Sequence, residues 1–326
     1  MSGAVVAFVE HAAGEPDRLS LEALALAGGL AKQLGASLDA IVLGSDAASV
    51  GRLGRYGVGL AHVASDARLD DYAPAAWAAA IREVISVRAP AAVVAAGSER
   101  GNEVLAHVAA RLGLPMSANT IEVKPGESWQ LVRQRWAGSL LEDATLDAPV
   151  RLLTVAPHAV VADPELATAP APTITRFEPA LEPADLVVRV VSREAKASAG
   201  VSLTDAKVVV GGGRGVGSSE GFAKLEELAG LLGGAVGGSR VVTSLGWRPH
   251  SDQIGQTGLR IAPDLYIACG ISGAIQHIVG CKAAKRILAI NTDPESPIMA
   301  VADYAVIGDL STIVPAISEE IERRRA

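Results

Sequence analysis

A run of glycines with one arginine has the composition of a phosphate-binding turn. Gly211, Gly212, Gly213, Arg214 and Gly215 follow the apolar run VVV and precede a helical pattern. Glycines at a strand end let the backbone approach a ligand, and the following helix offers free N–H groups to an anion. The spacing is not GxGxxG with an acidic ribose-binding residue, so no plain nicotinamide site is predicted. A tight structural turn remains the alternative interpretation.

A second group of polar side chains lies in the segment 238–258. Ser239 and Arg240 follow a short strand pattern, and QIGQTG occupies 253–258. Ligands bind at the carboxyl ends of parallel strands, where Arg240 could stabilise negative charge on a flavin ring. The amides and the hydroxyl match the donors and acceptors along a flavin edge. A solvated arginine and a hydrophilic surface turn are the alternatives, although loops of this length are usually functional or disordered.

A third group, SGAIQH at 272–277, opens a predicted helix after an apolar strand. Ser272 could be the helix cap, and a lone His277 is more often structural than chemical. Asn291 and Asp309 end the next two strand patterns and could be turn formers or helix caps.

Motifs for covalent or metal chemistry are missing from the sequence. There is no GxSxG, HExxH or GxxxxGK[ST] pattern, and the other histidines lack metal-ligand spacing. We therefore predict neither catalytic residues nor a metal site. With only four Trp, four Tyr and three Phe, a flavin would be held mainly by loops and hydrogen bonds.

Apolar runs alternate with helix-length segments along the whole chain, which predicts an α/β fold with two doubly wound domains. In the first domain, strands are predicted at 4–10, 38–44, 60–65 and 91–97, with helices between them. The longer runs at 128–138 and 150–157 are predicted to be antiparallel, as an extension at the sheet edge. A last strand, 185–192, is expected to return to this sheet.

A proline-rich segment, 162–184, contains five prolines and is predicted to be an extended connector. The predicted domains are 1–198 and 199–326. In the second, a Rossmann-like parallel sheet is expected from strands at 207–210, 235–237, 265–268, 287–290 and 304–307. Its predicted helices are 220–232, 273–280 and 310–324, and 238–258 is predicted to be a loop.

Composition excludes several function classes. A length of 326 residues suits two domains, and a net charge of −7 argues against binding to nucleic acid or anionic lipid. Two cysteines without CxxC spacing predict neither disulfide nor zinc site. No apolar run reaches the roughly 18 residues of a membrane helix, and no secretory signal is recognised. These features predict a soluble cytoplasmic protein without membrane insertion.

The motifs VVVGGGRG, GSR, QIGQTG, PDLYIACGISGAIQH, INTDPESPI and VADYAVIGDL follow one another from residue 207 nearly to the C-terminus. In this order they resemble the alpha subunit of electron-transfer flavoproteins. The first 195 residues agree more loosely, through VAFVEH and the α/β order. The resemblance implies one non-covalent FAD in the C-terminal domain and a heterodimer with a beta subunit, which the N-terminal domain would contact. It also implies an electron carrier of fatty acid beta-oxidation without its own substrate turnover, taking electrons from acyl-CoA and related dehydrogenases and passing them to a membrane quinone oxidoreductase.

Carried over by position, the resemblance implies a role for individual residues. Arg214 would contact the FAD pyrophosphate, and Arg240 would stabilise the reduced, anionic isoalloxazine. The Thr257 hydroxyl would lie near N5, and His277 near the pyrimidine carbonyl O2. Asn291 and Asp309 would hold the adenosine portion. The full set of implied FAD-binding residues is Arg214, Ser239, Arg240, Gln253, Ile254, Gly255, Gln256, Thr257, Ser272, Gly273, Ala274, Ile275, Gln276, His277, Asn291, Asp309 and Leu310.

Two other functions stay open at this point. The first is a nucleotide-binding or NAD-dependent α/β enzyme, which needs an acidic ribose-binding residue and a substrate site; neither is clearly present. The second is a cofactor-free scaffold subunit of the same fold. The presence of Arg214, Arg240, Thr257 and His277 argues against the scaffold.

Overall fold

The computed structural model describes residues 3–12, 14–44, 48–162, 169–192 and 201–325. Contacts within the chain divide it into two compact units, residues 1–194 and 195–326. Both units are α/β with large parallel sheets, so the predicted fold class is confirmed. Among the helices of the described residues, none combines the length and the apolar character needed to cross a membrane.

The first unit is built on a nine-stranded sheet with the order β11-β5-β4-β1-β6-β10-β7-β8-β9. Strands β7, β8 and β9 pair antiparallel, and all other neighbours are parallel. The strands of this unit are β1 (Ala4–Val9), the short hairpin β2 (His11–Ala12) and β3 (Glu15–Pro16), β4 (Ser37–Leu43), β5 (Leu60–Ala64), β6 (Ala92–Ala96), β7 (Met116–Lys124), β8 (Trp129–Arg135), β9 (Leu140–Leu146), β10 (Arg151–Val155) and β11 (Thr173–Phe177). The α-helices are α1 (Arg18–Leu34), α2 (Pro74–Arg88) and α3 (Glu99–Leu112), with 3-10 turns at Ala48–Tyr56, Ala67–Leu69, Trp136–Gly138 and Pro183–Leu186.

Alternate residues of the central strands enter two separate cores, one on each face of the sheet. Along β1, Val5 and Ala7 pack in the core beneath α1, whereas Val6 and Phe8 pack in the core beneath α2 and α3. A strand buried on both faces must be apolar throughout, which is why the central strands are continuous hydrophobic runs.

Strand β10 was predicted to be antiparallel, and this prediction is wrong. Residues 151–155 lie inside the sheet, parallel to both β6 and β7, and Leu152 and Leu153 are fully buried. Burial on both faces is typical of a central parallel strand. The antiparallel extension at the edge consists of β8 and β9, and β8 holds most of the predicted segment 128–138.

The predicted strand 185–192 is also wrong. Residues 183–186 form a 3-10 turn, and the described residues after it have no regular structure. The strand that returns to the sheet is β11, inside the proline-rich segment, where it pairs parallel with β5 at the sheet edge. Prolines are tolerated at sheet edges, and the sequence TITRF is rich in β-branched residues. Residues 163–168 of the predicted connector lie outside the described residues.

The second unit has a five-stranded, fully parallel sheet with the order β13-β12-β14-β15-β16. Its strands are β12 (Val208–Gly212), β13 (Ala235–Gly238), β14 (Leu265–Cys269), β15 (Ile287–Asn291) and β16 (Tyr304–Ile307). Its helices are α4 (Phe222–Leu231), α5 (Arg240–Ser244), α6 (Ile275–Cys281), α7 (Pro297–Val301) and α8 (Leu310–Arg325), with 3-10 turns at Arg214–Val216 and His250–Asp252. The chain leaves β12 toward β13 on one side and returns to β14 on the other. A crevice for ligands is expected at this change of direction.

The segment 238–258 was predicted to be a loop, but it contains α5 and a 3-10 turn. Helix α5 is only five residues long, so no amphipathic period could reveal it in the sequence. It begins directly after Ser239 and brings Arg240 and Thr243 to the carboxyl edge of the sheet.

Candidate functional site

A cavity of about 770 Å³ lies at the carboxyl edge of the second sheet. The segments that follow β12, β13, β14 and β15 line it, as expected at the point where the strand order changes direction. Its volume falls in the range of sites for small molecules and cofactors. Most of the predicted site residues meet here, namely Arg214, Ser239, Arg240, Gln253, Ile254, Gly255, Gln256, Thr257, Ser272, Gly273, Ala274, Gln276, His277 and Asn291.

Three predicted site residues do not line this cavity. The side chain of Ile275 is turned to solvent, with 70% of its surface exposed. Asp309 caps α8, where its Oδ1 accepts a hydrogen bond from the Ser311 backbone N–H at 2.8 Å. Leu310 is buried in the core against Gly270. Position next to a lining residue or at a strand end therefore did not suffice to predict a lining side chain.

The glycine run after β12 packs against the protein itself. A Cβ atom on Gly211 would lie 2.2 Å from the Tyr266 hydroxyl oxygen, and one on Gly212 would lie 2.4 Å from the Phe222 ring. A Cβ on Gly213 would lie 2.2 Å from the carbonyl oxygen of Gly270. Real Cβ atoms do not approach this closely, so packing within the fold requires these three glycines. Packing thus accounts for these three glycines, as the interpretation as a structural turn expects, while Gly215 of the same run lines the cavity.

Two arginines supply positive charge to the cavity. Arg214 and Arg240 both line it, and both are exposed. Within the described part of the chain, neither guanidinium pairs with a carboxylate. Uncompensated guanidinium groups in a concave site favour an anionic ligand, and their planar fork suits phosphate oxygens.

A buried amide joins two hydroxyls at the cavity wall. Gln253 is 2% exposed, its Oε1 accepts a hydrogen bond from the Thr243 hydroxyl at 2.8 Å, and its Nε2 donates to Thr257 Oγ1 at 2.9 Å. The Thr257 oxygen accepts from Gln253, and its own proton has no acceptor among the described residues, so it is available to an acceptor in the cavity. Thr243 is not predicted from the sequence, and no spacing marks it, because its role depends on a side chain ten residues later.

His277 lies beneath the cavity and is 6% exposed. A hydrogen bond of 2.8 Å joins its Nε2 to the Tyr266 hydroxyl, while its buried Nδ1 makes no hydrogen bond of normal geometry within the described residues. Burial lowers the pKa of the imidazole to about 4, and a weaker hydrogen-bonding interaction of the ring with the Ile254 backbone acts in the opposite direction. The ring is therefore neutral near pH 7. Tyr266, which is not among the predicted site residues, is fully buried on β14.

The turn after β14 is fixed by backbone geometry. Gly273 has φ = 79°, and a Cβ there would lie 2.4 Å from the Ile298 backbone nitrogen. The Ser272 carbonyl accepts a hydrogen bond from that same nitrogen at 3.0 Å. Helix α6 begins at Ile275 after Ala274, so Ser272 is not its cap, contrary to that alternative.

Asn291 closes this side of the cavity as a turn former. Its Nδ2 donates to the Ile271 carbonyl at 3.0 Å, and its Oδ1 accepts from the Asp293 backbone N–H at 3.1 Å. These bonds tie the segments after β14 and β15 together, so Asn291 both lines the cavity and shapes it.

Comparison with known proteins matches nearly the whole described chain. Residues 5–182 match the family model of the electron transfer flavoprotein domain, and residues 202–282 match that of the electron transfer flavoprotein FAD-binding domain. The chain is 36% identical over 285 residues to electron transfer flavoprotein subunit alpha of Bacillus subtilis (strain 168), covering 87% of each chain. It is 36% identical over 321 residues to the protein of that name from Mycobacterium tuberculosis (strain CDC 1551 / Oshkosh), covering 98% of this chain and 99% of the relative. It is 35% identical over 317 residues to protein FixB of Clostridium saccharobutylicum, covering 95% and 93%.

Proposed function

Because the chain belongs to the alpha-subunit family of electron transfer flavoproteins and carries the family's FAD-binding domain, we propose that it is an electron carrier without substrate turnover of its own. The family and the cofactor inferred from sequence motifs are both confirmed. FAD supplies the capacity to accept and release electrons when it is bound. The protein would position the cofactor, set its electrostatic environment and limit its contact with water.

The cavity of the second unit fits a flavin dinucleotide. Arg214 and Arg240 offer two guanidinium groups that no described carboxylate neutralises, which suits a ligand with a diphosphate. The His277 Nδ1 atom is buried without a hydrogen-bond partner among the described residues, as expected where a ligand atom completes the site. The observation that carries the proposal is this convergence of unpaired cations and an orphaned polar atom on one cavity.

We assign the parts of FAD to the residues of the site as follows. Arg214 binds the pyrophosphate, and Asn291 holds the adenosine portion. Arg240 lies at the isoalloxazine, where its positive charge opposes the negative charge gained on reduction. The free proton of the Thr257 hydroxyl serves N5, and His277 faces the pyrimidine carbonyl. The other residues assigned to the cofactor that line the cavity are Ser239, Gln253, Ile254, Gly255, Gln256, Ser272, Gly273, Ala274 and Gln276. Ile275, Asp309 and Leu310, whose side chains do not line it, complete the proposed set.

The partners we propose follow from membership in the family. The chain forms a heterodimer with a beta subunit, residues 1–198 contact that subunit, and residues 199–326 bind FAD. Electrons enter from acyl-CoA and related dehydrogenases and leave to a membrane quinone oxidoreductase. The carrier acts in the cytoplasm, in fatty acid beta-oxidation. The word alpha in the names of the relatives supports a second subunit, and the two buried free thiols suit a reducing compartment.

An absorption spectrum of the chain purified with its beta subunit tests the cofactor and the carrier role. We expect flavin bands, which bleach on addition of an acyl-CoA together with its dehydrogenase and return on addition of a quinone oxidoreductase. A colourless complex that FAD cannot reconstitute would contradict FAD binding. A flavin complex that NADH reduces directly, and that no dehydrogenase reduces, would favour an NAD-dependent enzyme.

A further inference from the structure

Tyr266 and His277 form an isolated polar pair beneath the cavity. The Tyr266 hydroxyl lies 2.8 Å from Nε2 of His277, and the ring centroids are 6.0 Å apart. Tyr266 is fully buried, and its hydroxyl has no other hydrogen-bond partner among the described residues. Only His277 lines the cavity. The tyrosine can therefore affect a bound ligand only through the histidine.

Both members of the pair are neutral. Burial raises the pKa of the Tyr266 phenol well above its usual value of 10, with Cys281 and Cys269 acting in the same direction. Burial also keeps the imidazole of His277 uncharged at neutral pH. A neutral imidazole carries one proton, on either Nε2 or Nδ1, and the nitrogen without it accepts hydrogen bonds.

The two possible tautomers leave different groups unsatisfied. If Nε2 carried the proton, it would donate to the Tyr266 oxygen, and the phenolic proton would have no acceptor while Nδ1 also stayed unpaired. If Nδ1 carries the proton, the Tyr266 hydroxyl donates to Nε2, and Nδ1–H is the one group of the pair without a well-aligned partner among the described residues. Each buried polar group without a partner destabilises the fold, so the second tautomer is favoured.

We propose that Tyr266 is a positioning residue: its hydroxyl donates to Nε2 of His277, fixes the proton on Nδ1, and so presents Nδ1–H as a donor to an acceptor atom of the bound ligand. A carbonyl oxygen of the ligand would be such an acceptor. The part that concerns the ligand rests on the proposed function, whereas the assignment of the tautomer depends only on this chain.

Gly211 holds the tyrosine in place for this role. Strands β12 and β14 pair in parallel, and the Tyr266 ring lies over the Cα of Gly211. A Cβ there would lie 2.2 Å from the hydroxyl oxygen and 2.7 Å from Cε2 of the ring. Any larger residue must push the hydroxyl away from His277. The first glycine of the run therefore preserves the hydrogen bond between the two rings.

Nitrogen NMR of histidine tests the assignment directly. The full chain is labelled with ¹⁵N-histidine, purified with its beta subunit, and examined without FAD and after addition of FAD. His277→Gln identifies the signals of His277. In long-range ¹H–¹⁵N spectra near pH 7, we expect the shift of a protonated nitrogen at Nδ1 and that of an unprotonated nitrogen at Nε2. A wild-type ring protonated mainly at Nε2 would overturn the proposal, with or without bound flavin.

Two tyrosine variants test whether Tyr266 is responsible. Tyr266→Phe removes only the hydroxyl, and we expect the Nε2–H population to rise and the midpoint potential of bound FAD to shift to a more negative value. Tyr304→Phe is the matched control, because Tyr304 is 59% exposed on β16 of the same unit, and it should leave both readouts unchanged. An unchanged tautomer in Tyr266→Phe would also overturn the proposal. If that variant does not fold, the protonation of His277 in the wild type still tests the proposal. A complex without flavin would contradict the proposed function but not the assigned tautomer.

Discussion

The Cβ position of Gly211 lies 2.2 Å from the hydroxyl oxygen of Tyr266, so the first glycine of the glycine-rich run faces a buried ring. Gly211→Ala must therefore displace Tyr266 from a filled core. We expect the free energy of unfolding to fall by about 1–3 kcal/mol, the usual cost of overpacking. Urea denaturation followed by circular dichroism measures it.

Gly230→Ala is the control for this substitution. Gly230 lies within α4, and a Cβ there would meet no atom within 4 Å. Alanine favours a helix over glycine by about 0.5–1 kcal/mol, so this variant should gain stability. Equal effects of the two substitutions would mean that the Tyr266 ring moves aside without cost.

The role of these glycines shows where sequence reasoning stops. A glycine run after a strand is compatible with a ligand or with close packing, and only the residue opposite decides between them. Tyr266 and Gly270, which face Gly211 and Gly213, lie more than fifty residues further along the chain. Arg214 follows the same strand and lines the cavity, whereas Asp309, at another strand end, does not, so position at a strand end alone does not decide which side chain reaches the ligand site.

The bounds of a strand could be predicted where the local sequence pattern determines them. The direction and position of a strand in the sheet could not, because they depend on strands that are distant in sequence. The predicted strand 304–307 has the bounds of β16, and the other predicted strands of the second unit differ from theirs by one or two residues. The direction of β10 depends on its neighbours β6 and β7, and β11 depends on the free edge of β5. The strands 151–155 and 173–177 have five residues each, so their own sequences do not indicate with which strands they pair.

Low pH should destabilise the second unit through His277. The pKa of its imidazole is about 4 in the folded state, against an ordinary value of 6.5. Between these values the unfolded chain binds a proton that the folded protein does not, so the free energy of unfolding falls as pH falls from 6.5 toward 4. The shift corresponds to about 3 kcal/mol over this window.

Comparison of wild type with His277→Gln isolates this contribution. We expect a shallower loss of stability between pH 6.5 and 4 in the variant, measured by urea denaturation at several pH values. Parallel pH profiles for the two proteins would show that His277 is already charged in the folded state.

Arg240 should control the reduction potential of bound FAD. Removing its positive charge in Arg240→Gln disfavours the negative charge gained on reduction, so the midpoint potential should become more negative. For a two-electron couple, about 1.4–2.8 kcal/mol corresponds to about 30–60 mV. Spectroelectrochemical titration of the complex with the beta subunit measures this.

Two further arginine variants make the result specific. Arg240→Lys keeps the charge and should retain most of the wild-type potential. Arg214→Gln removes a charge that we assign to the pyrophosphate, so it should weaken FAD binding more than it changes the potential. A larger potential shift in Arg214→Gln than in Arg240→Gln would reverse these two assignments.

Thr243 should hold Thr257 in place through the Gln253 amide. Thr243→Val keeps the shape of the side chain but removes the hydroxyl that donates to Gln253 Oε1 at 2.8 Å. A buried amide oxygen then lacks its donor, and we expect a loss of about 1–3 kcal/mol in the free energy of unfolding and weaker FAD binding. Thr312→Val, at an exposed position of α8, is the control and should change neither. Unaltered FAD affinity in Thr243→Val would show that the bond from Thr243 to Gln253 is not needed to position Thr257 for FAD.

Glu10 should make the first unit less stable as pH rises. Its carboxyl is buried at the end of β1, where Oε1 accepts a hydrogen bond from the Ser98 hydroxyl at 2.5 Å. Burial raises the pKa of this carboxyl above its ordinary value of 4.5; the hydrogen bond from Ser98 and the charge of Arg100 oppose the shift, and the charge of Asp17 adds to it. Just above pH 4.5 the folded protein keeps a proton that the unfolded chain has lost. The free energy of unfolding therefore falls as pH rises toward the folded pKa, and is constant above it.

Glu10→Gln removes this dependence, because the amide stays neutral and its oxygen can still accept from Ser98. We expect wild type and variant to have similar stability at pH 4.5, and the variant to become the more stable as pH rises, in urea denaturation of the complex. The Glu10 carboxyl also lies beside the first turn of α3, whose N-cap is Ser98. In the strand order, this is the place where β1 lies between β4 and β6. Ligands bind at such a place in open α/β sheets, and here Glu10 and Ser98 bond to each other across it. If the two stability profiles instead run parallel, the Glu10 carboxyl is ionised in the folded protein, and its contact with Ser98 is a charged hydrogen bond.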